Sequence, residues 1–390
     1  MDDLLRRAEA GYSRAFGGRP AGCWIAPGRV NVLGEHTDYN DGYSMPYAIG
    51  FYTAAAVSRS TSPTWQVWSE ATGETVTFGP SRVSRDLSRA DPVPGWASYV
   101  AGIVWSLSTL PGVRVGGARI AIASDVPLGA GMSSSAALEI AVLSALVDLY
   151  DIELSVLDRV LTARRAENEY VGAPTGVLDQ TASLMSIPGH ALFMDSRSNV
   201  IEPVPFDLEE AGLEMIVVDT HVRHSHATGE YADRRRDCER AAKLLDVASL
   251  RDVNHVEYLA LPDRLLRRRV RHVITENART LAAARALQDG TLGDLRYLGA
   301  AMTESHLSLM ADFEVSCPEL DTVVQAAIEG GAWGARMMGG GFGGSAIALV
   351  NADRSDEMCD VIAEAADLAE QPSPTFYLAV PSAGAARIDT

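Results

Sequence analysis

The chain has 390 residues, of which 47% are hydrophobic, and a formal net charge of -18. That length supports two domains or one large one, and the acidic balance argues against a nucleic-acid binder while leaving room for a nucleotide site built from local donors. No apolar run approaches the ~20 residues of a membrane helix. The start Met1-Asp2-Asp3 lacks a signal-peptide core, and Cys23, Cys238, Cys317 and Cys359 are far apart with no CxxC, so a cytoplasmic protein with reduced thiols is expected.

Leu4 to Phe16 has amphipathic spacing and predicts a helix, closed by Gly17-Gly18. Cys23 to Ala26 reads as a strand and runs into GRVNVLGEHTDYNDG at residues 28–42. Ser44 to Val57 resumes an apolar strand pattern. The loop between them places Glu35, His36, Thr37 and Asp38 beside Val32, Leu33 and Gly34, so some of these polar groups must sit in a cleft. Carboxylates with an imidazole suit a polyhydroxylated ligand.

Trp65 to Val83 predicts a strand hairpin and Trp96 to Leu107 a helix. Ala118 to Ala123 alternates as a strand. Gly129-Ala130-Gly131-Met132-Ser133-Ser134-Ser135 follows, and Ala136 to Tyr150, free of Gly and Pro, predicts a helix. Strand, glycine turn, serines and helix are the layout of an anion site. Glycines let the backbone approach, N–H groups and the helix dipole hold the charge, and hydroxyls add donors or a metal ligand. A plain turn capped by Ser133 is the alternative, and three consecutive serines favour the anion site. Neither GxxxxGK[ST] nor a protein-kinase lysine motif occurs, and Lys243 is the only lysine. Cationic help in any phosphoryl transfer must therefore come from arginine.

Leu157 to Tyr170 predicts a helix that carries Glu167. Asp179 opens the next helix, to Met185, as either an N-terminal cap or a functional carboxylate. His190 to Asp195 and Glu214 to Asp219 predict strands, with the domain boundary at Pro203 to Phe206 between them. His221, His224 and His226 invite a zinc reading, but no Cys or HExxH accompanies them and Arg223 would repel a cation, so no metal is expected there. Tyr231 to Leu245, Leu261 to Gly290, Ser305 to Phe313 and Pro318 to Gly330 predict helices. Five of the six positions 339–344 are glycine. So permissive a backbone costs entropy, so it must press against a ligand or the other loop. Ala346 to Val350 and Phe376 to Val380 predict strands. Strands and helices mix without a regular βαβ rhythm, which indicates an α+β fold.

Residues 28–42, PLGAGMSSSAALE at 127–139 and GARMMGGGFGGSAIALV at 334–350 resemble, in that order, the three motifs of the GHMP small-molecule kinases. The first is similar to the galactokinase signature. AENEYVGAPTGVLDQ at 166–180, MDSRS at 194–198, VRHSHATGEYADRRRDC at 222–238 and ESHLSLMADFEVSCPELD at 304–321 also resemble galactokinases, so the likeness spans nearly the whole chain. Gly129-Ala130-Gly131 in place of an all-glycine triplet, and Tyr43-Ser44-Met45 in place of aliphatics, are departures that touch no group with chemistry.

The resemblance implies two domains with the active site between them. Residues 1–205 would hold a mixed sheet with the first two motifs, and residues 206–390 helices over an antiparallel sheet with the third. It implies a monomer that transfers the ATP γ-phosphate to the anomeric hydroxyl of α-D-galactose with magnesium as cofactor. Carried over by position, it makes Arg29 and Asp179 the catalytic pair. It gives the sugar to Glu35, His36, Thr37, Asp38, Gly176, Asp179 and Tyr231, and the phosphates to Gly129, Ala130, Gly131, Met132, Ser133, Ser134 and Ser135. It gives magnesium to Ser135 and Glu167. Phosphoryl transfer is loose, so positioning and charge neutralisation dominate, and an arginine forks well onto phosphate oxygens. Kinases of N-acetylgalactosamine or arabinose would resemble this pattern and differ in room near the sugar C2 and C5. A silent galactose sensor would resemble it too, with a damaged serine loop, and here Ser133-Ser134-Ser135 is intact.

Overall fold

The computed structural model describes all residues except 85, 87–90, 174, 224–226, 290–291 and 389–390. The chain runs α1 (Asp2–Phe16), β1 (Gly22–Asn31), β2 (Tyr43–Ser44), β3 (Pro46–Arg59), β4 (Trp65–Ser69), β5 (Thr75–Phe78), α2 (Ala97–Thr109) and β6 (Ala118–Ser124). Then come α3 (Ser134–Leu149), α4 (Val156–Arg165), α5 (Leu178–Met185), β7 (His190–Asp195), β8 (Val200–Pro205), β9 (Leu213–Arg223), α6 (Ala227–Leu244) and α7 (Arg264–Asp289). It ends with α8 (Leu292–Ser308), α9 (Pro318–Glu329), β10 (Gly334–Met337), β11 (Gly343–Asn351), α10 (Ser355–Leu368), β12 (Thr375–Leu378) and β13 (Ala386–Ile388).

The first sheet has the order β13-β1-β3-β6-β4-β5; β4 and β6 are parallel and the other pairs antiparallel. Successive side chains of a strand point to opposite faces. Thus Trp24 and Ala26 of β1 join α2 and α3 in one core, while Cys23 and Ile25 meet Leu4, Ala8 and Tyr12 of α1 on the other. A sheet covered on both faces reads as continuous apolar runs, which is how β1 and β3 look in the sequence. The second sheet, β10-β11-β9-β12, is antiparallel. Ile216, Val218, Ala346 and Ala348 pack under Val270, Val273, Leu320 and Val323 of the helices. Met215, Val217, Ile347 and Leu349 on its other face share a core with Val32, Leu33, Met45 and Ile49. The fold is α+β, as expected.

Helix α10 and strand β13 were not expected, and β1 runs on to Asn31; four further differences have identifiable reasons. The helix expected to Tyr170 stops as an α-helix at Arg165 and continues as a π turn over Ala166–Val171. The helix expected over Ser305 to Phe313 is the end of the longer α8, in which Gly299 lowers the helical signal, followed by a π turn over Leu309–Phe313. That glycine is needed, since a Cβ there would lie 2.3 Å from the Trp333 carbonyl oxygen. The hairpin expected to Val83 ends at Phe78, and Pro80–Val83 forms a 3-10 turn. Pro203 to Phe206, read as an interval between strands, overlaps β8, whose two prolines are tolerated because it lies at a sheet edge, paired with β7. Among the described residues no helix is long and apolar enough to cross a membrane.

Candidate active site

Arg29 follows a register shift in β1, between Pro27 and Arg29, that turns the strand towards the serine loop. Gly28 lets the two backbones touch, since a Cβ there would lie 2.6 Å from the Met132 carbonyl oxygen. The Arg29 amide donates to Met132 O at 3.1 Å and its Nη1 to Gly131 O at 2.6 Å. Its Nε and Nη2 reach Asp179 Oδ1 at 2.8 and 2.7 Å. Ser133 Oγ donates to Asp179 Oδ2 at 2.5 Å. These contacts decide two open questions about caps. Val177 holds the N-cap of α5, so Asp179 is not its cap, and its carboxylate is turned to Arg29 and Ser133. Ser133, left-handed at φ 55°, stands at the N-cap of α3 without capping it through its side chain.

Beside this pair lies a cavity of about 170 Å³ walled by Arg29, Glu35, His36, Asp38, Gly176, Asp179, Tyr231 and the backbone of Gly339-Gly340. It is small beside the roughly 300–1,000 Å³ of drug-sized sites and dense in charge. Glu35 Oε1 accepts from the Gly339 amide at 2.8 Å and lies 3.3 Å from Arg336 Nη2. Burial raises the Glu35 pKa, although Arg336, Arg29 and the Gly339 amide pull it down. Burial, together with His272 and nearby arginines, lowers His36 to about 3, so its ring is neutral. Its Nε2–H donates to Gly340 O at 3.2 Å and its Nδ1 accepts from the Tyr39 hydroxyl at 2.8 Å. Both nitrogens are thus engaged, and the ring packs, tilted, against Tyr231 and Phe313.

Asp38 also lines the cavity, and the backbone amides of Tyr39 and Asp38 itself approach its carboxylate. Burial pushes its carboxyl up to about 6, with Asp179 and Glu35 adding to the effect. Gly176 is fixed by this neighbour, because a Cβ there would lie 1.7 Å from Asp38 Oδ2. Thr37 stands behind the cavity, not in its wall. It is fully buried and its hydroxyl lies 2.9 Å from Gly34 O and 2.7 Å from Tyr43 O, which closes the loop on itself.

On the other side of Asp179 is a buried carboxylate cluster. Glu167 sits in the π turn after α4, a bulge type common at functional sites. Its Oε1 accepts from Ser135 Oγ at 3.1 Å, and its Oε2 accepts from Thr175 Oγ1 and Gln180 Nε2, both at 2.7 Å. Gln180 also reaches Glu139 Oε2 at 3.2 Å, while Glu139 Oε1 is buried without a hydrogen-bond partner. Burial raises both carboxyls, and Glu167 raises Glu139 further. One carboxylate, a hydroxyl and an under-satisfied second carboxylate form a hard oxygen set that fits a small divalent cation.

The serine loop exposes backbone. Gly129 and Gly131 lie at the surface with φ 80° and 68°, while Ala130 and Met132 bury their side chains. Ser134 and Ser135 form the first turn of α3. The second glycine loop presses on both others: Gly339 and Gly340 on Glu35 and His36, and Ser345 Oγ on Ala130 O at 2.7 Å. Gly341 is wedged on Val315, whose carbonyl oxygen would lie 2.2 Å from a Cβ. Arg336, Thr175, Leu178, Glu139 and Gln180 were not anticipated; only Arg336 carried a signal, as an arginine leading into a glycine loop.

Of the three clustered histidines, His224 and His226 lie outside the described residues. His221 Nε2 meets Thr375 Oγ1 at 2.8 Å. The four cysteines are unpaired, and burial pushes Cys23 and Cys238 up to about 12.

Residues 98–186 match the family described as GHMP kinases N terminal domain, and residues 281–368 match GHMP kinases C terminal. Residues 10–59 match the galactokinase galactose-binding signature. The galactokinase of Streptomyces coelicolor is 45% identical over 387 residues, covering 97% of each chain. That of Mycobacterium tuberculosis is 42% identical over 93% of this chain and 98% of its own. The crystal structure of Lactococcus lactis galactokinase complexed with galactose superposes with a TM-score of 0.90, at 29% identity, over 99% of this chain and 100% of that one. The chain belongs to the galactokinase family of the GHMP kinases.

Proposed function

We propose that this protein transfers the γ-phosphoryl group of ATP to the anomeric hydroxyl of α-D-galactose, giving galactose 1-phosphate and ADP. One observation carries the reading: Arg29 and Asp179 are paired where a small polar cavity meets an exposed glycine-serine loop that opens a helix. That juxtaposition brings a sugar hydroxyl and an anion-binding loop to the same two side chains. Glu35, Asp38, Gly176 and Tyr231 hold the sugar, with the His36 ring beneath it and Thr37 bracing the loop. The backbone from Gly129 to Ser135 holds the phosphates.

Asp179, fixed from two sides, orients the anomeric hydroxyl towards the phosphorus. As the new O–P bond forms and the bond to ADP breaks, the hydroxyl proton passes to Asp179 and then to solvent. Arg29 neutralises charge on the transferring group. Ser135 and Glu167 would hold magnesium, which when bound adds further neutralisation of the phosphate oxygens. We read residues 1–205 and 206–390 as the two domains, with the break between β8 and β9 and β13 returning to the first sheet. We expect a cytoplasmic monomer.

The test is a coupled ADP-release assay over galactose, glucose, N-acetylgalactosamine and arabinose, with and without magnesium. Release with galactose and magnesium supports the reading. Equal or better release with another sugar reassigns the substrate, and none with any sugar overturns it.

A further inference from the structure

Helix α7 supplies none of the cavity's walls, yet three of its buried polar side chains close on the backbone of the first loop. His272 Nε2–H donates to the Glu35 carbonyl at 3.1 Å, while its Nδ1 accepts from Ser308 Oγ at 2.9 Å. Glu276 Oε1 accepts from the Gly34 amide and from Ser305 Oγ, each at 2.8 Å. Asn277 Oδ1 accepts from the Tyr43 amide at 2.9 Å. Positions 272 and 276, one turn apart, share a helix face, and 277 flanks it. They seize both feet of the loop, before His36 and after Gly42, and leave between them the residues that face the cavity.

Packing alone does not require these side chains. A buried ion pair is weak evidence for stability, because apolar residues of similar volume often do as well. Here Arg279 Nη2 lies 2.8 Å from Glu276 Oε2, and the fully buried carboxylate spends its other oxygen on Gly34 and Ser305. Burial pushes Glu276 up, but Arg279, His272 and Arg336 outweigh it and hold the carboxyl down at about 2. Gly34 is the residue whose conformation matters most. It has φ 90°, and a Cβ on it would lie 2.2 Å from the Tyr43 carbonyl oxygen. Its amide therefore sits where only a fixed acceptor can satisfy it.

We infer that Glu276, with Asn277 beside it, is a positioning residue for sugar recognition: it sets the Gly34 turn and hence where Glu35 and Asp38 stand in the cavity. The inference rests on the galactose reading above. It separates sugar binding from nucleotide binding, since α7 makes none of these contacts to the serine loop.

The experiment compares the parent with Glu276→Met, Glu276→Gln and Asn277→Leu. The readouts are saturation curves for galactose and for ATP, and calorimetric titration of ligand-free protein with galactose. Glu276→Met leaves the Gly34 amide unpaired, so its KM and Kd for galactose should rise at least about tenfold while KM for ATP stays within about twofold. Glu276→Gln keeps an acceptor and should recover galactose binding to within about threefold of the parent. Asn277→Leu should repeat the split more weakly, and it carries the test if Glu276→Met does not fold. Galactose and ATP constants rising together, or a fall in Tm with galactose affinity unchanged, would overturn the inference and leave α7 a merely structural helix. A parent that binds no galactose defeats the functional reading itself, a failure recognisable because no substitution is involved.

Discussion

In the serine loop Ala130 and Met132 turn their side chains into the core, and the backbone faces outward. In the first loop the plan is reversed: Glu35 and Asp38 turn side chains into the cavity, and the backbone is gripped from behind by Thr37, Glu276 and Asn277. The proposed function accounts for the difference by what each ligand would demand. A polyphosphate presents the same oxygens every time, and amide groups at a helix start suffice for it. A hexose must be told from its epimers, which needs acceptors and donors fixed in an enclosed space. The contrast predicts that substitutions in the first loop move the sugar curve alone and that those at the seam move turnover.

Asp179 is the seam, bonded to Arg29 of one strand and to Ser133 of the serine loop. Asp179→Asn keeps the shape and removes the charge, so kcat should fall at least about a thousandfold, roughly 4 kcal/mol in the barrier. Circular dichroism and the melting temperature should stay close to those of the parent. Activity within tenfold of the parent would return Asp179 to a structural role. Next in size is Asp38→Ala, which should raise KM for galactose by about a hundredfold while KM for ATP moves less than about threefold. Glucose, whose 4-hydroxyl points the other way, should be a poor substrate of the parent. If the ATP curve moves instead, the first loop faces the nucleotide and the contrast collapses.

A smaller effect is expected on the opposite side of Asp179. Glu167→Gln should raise the magnesium concentration for half-maximal activity by about tenfold and lower kcat, because an amide is a poorer ligand for a hard cation. A magnesium titration that superposes on that of the parent would leave Glu167 as a buried partner of Ser135 and Gln180 only.

The contrast also explains what could be read from the chain. Backbone chemistry needs glycine and serine, which have few substitutes, so the loop at 129–135 was legible from its residues alone. The glycines at 339–344 were legible as a close approach but not as to what; Glu35, His36, Tyr231 and Val315 are the answer. Gly176 came only from the family resemblance, and its reason, the Asp38 carboxylate, exists only in three dimensions. Glu276 was illegible because it acts on a residue 242 positions away from within a helix whose pattern says only that it is a helix. Local pattern reports on local partners: Glu35, His36 and Asp38 stand within four positions and could be read together, whereas the walls that Gly176, Tyr231 and Gly339-Gly340 add, and the support from Glu276, come from distant parts of the chain.

The smallest effect sharpens the comparison most, because it asks whether the first loop is built for binding at the expense of the fold. Asp38 has a carboxyl pushed up to about 6, chiefly by burial and then by Asp179 and Glu35. In the unfolded chain an Asp titrates near 3.9. Between those values the folded protein holds the proton that the unfolded chain has lost. The sign is therefore fixed: stability from this group is present below pH ~4 and is lost as pH rises through ~6. At neutral pH the ligand-free enzyme carries an unfavourable charge, which Asp38→Asn removes without changing shape. Allowing for the solvent that still reaches the cavity, the gain should be about 1–2 kcal/mol, a rise of a few degrees in Tm at pH 7.5. The gain should shrink towards zero by pH ~4, while galactose binding at pH 7.5 is weakened. Thermal melts of both ligand-free proteins across that range provide the check. A variant less stable than the parent at pH 7.5, or a difference that does not depend on pH, would mean that the Asp38 carboxylate is held by the fold rather than kept for the sugar.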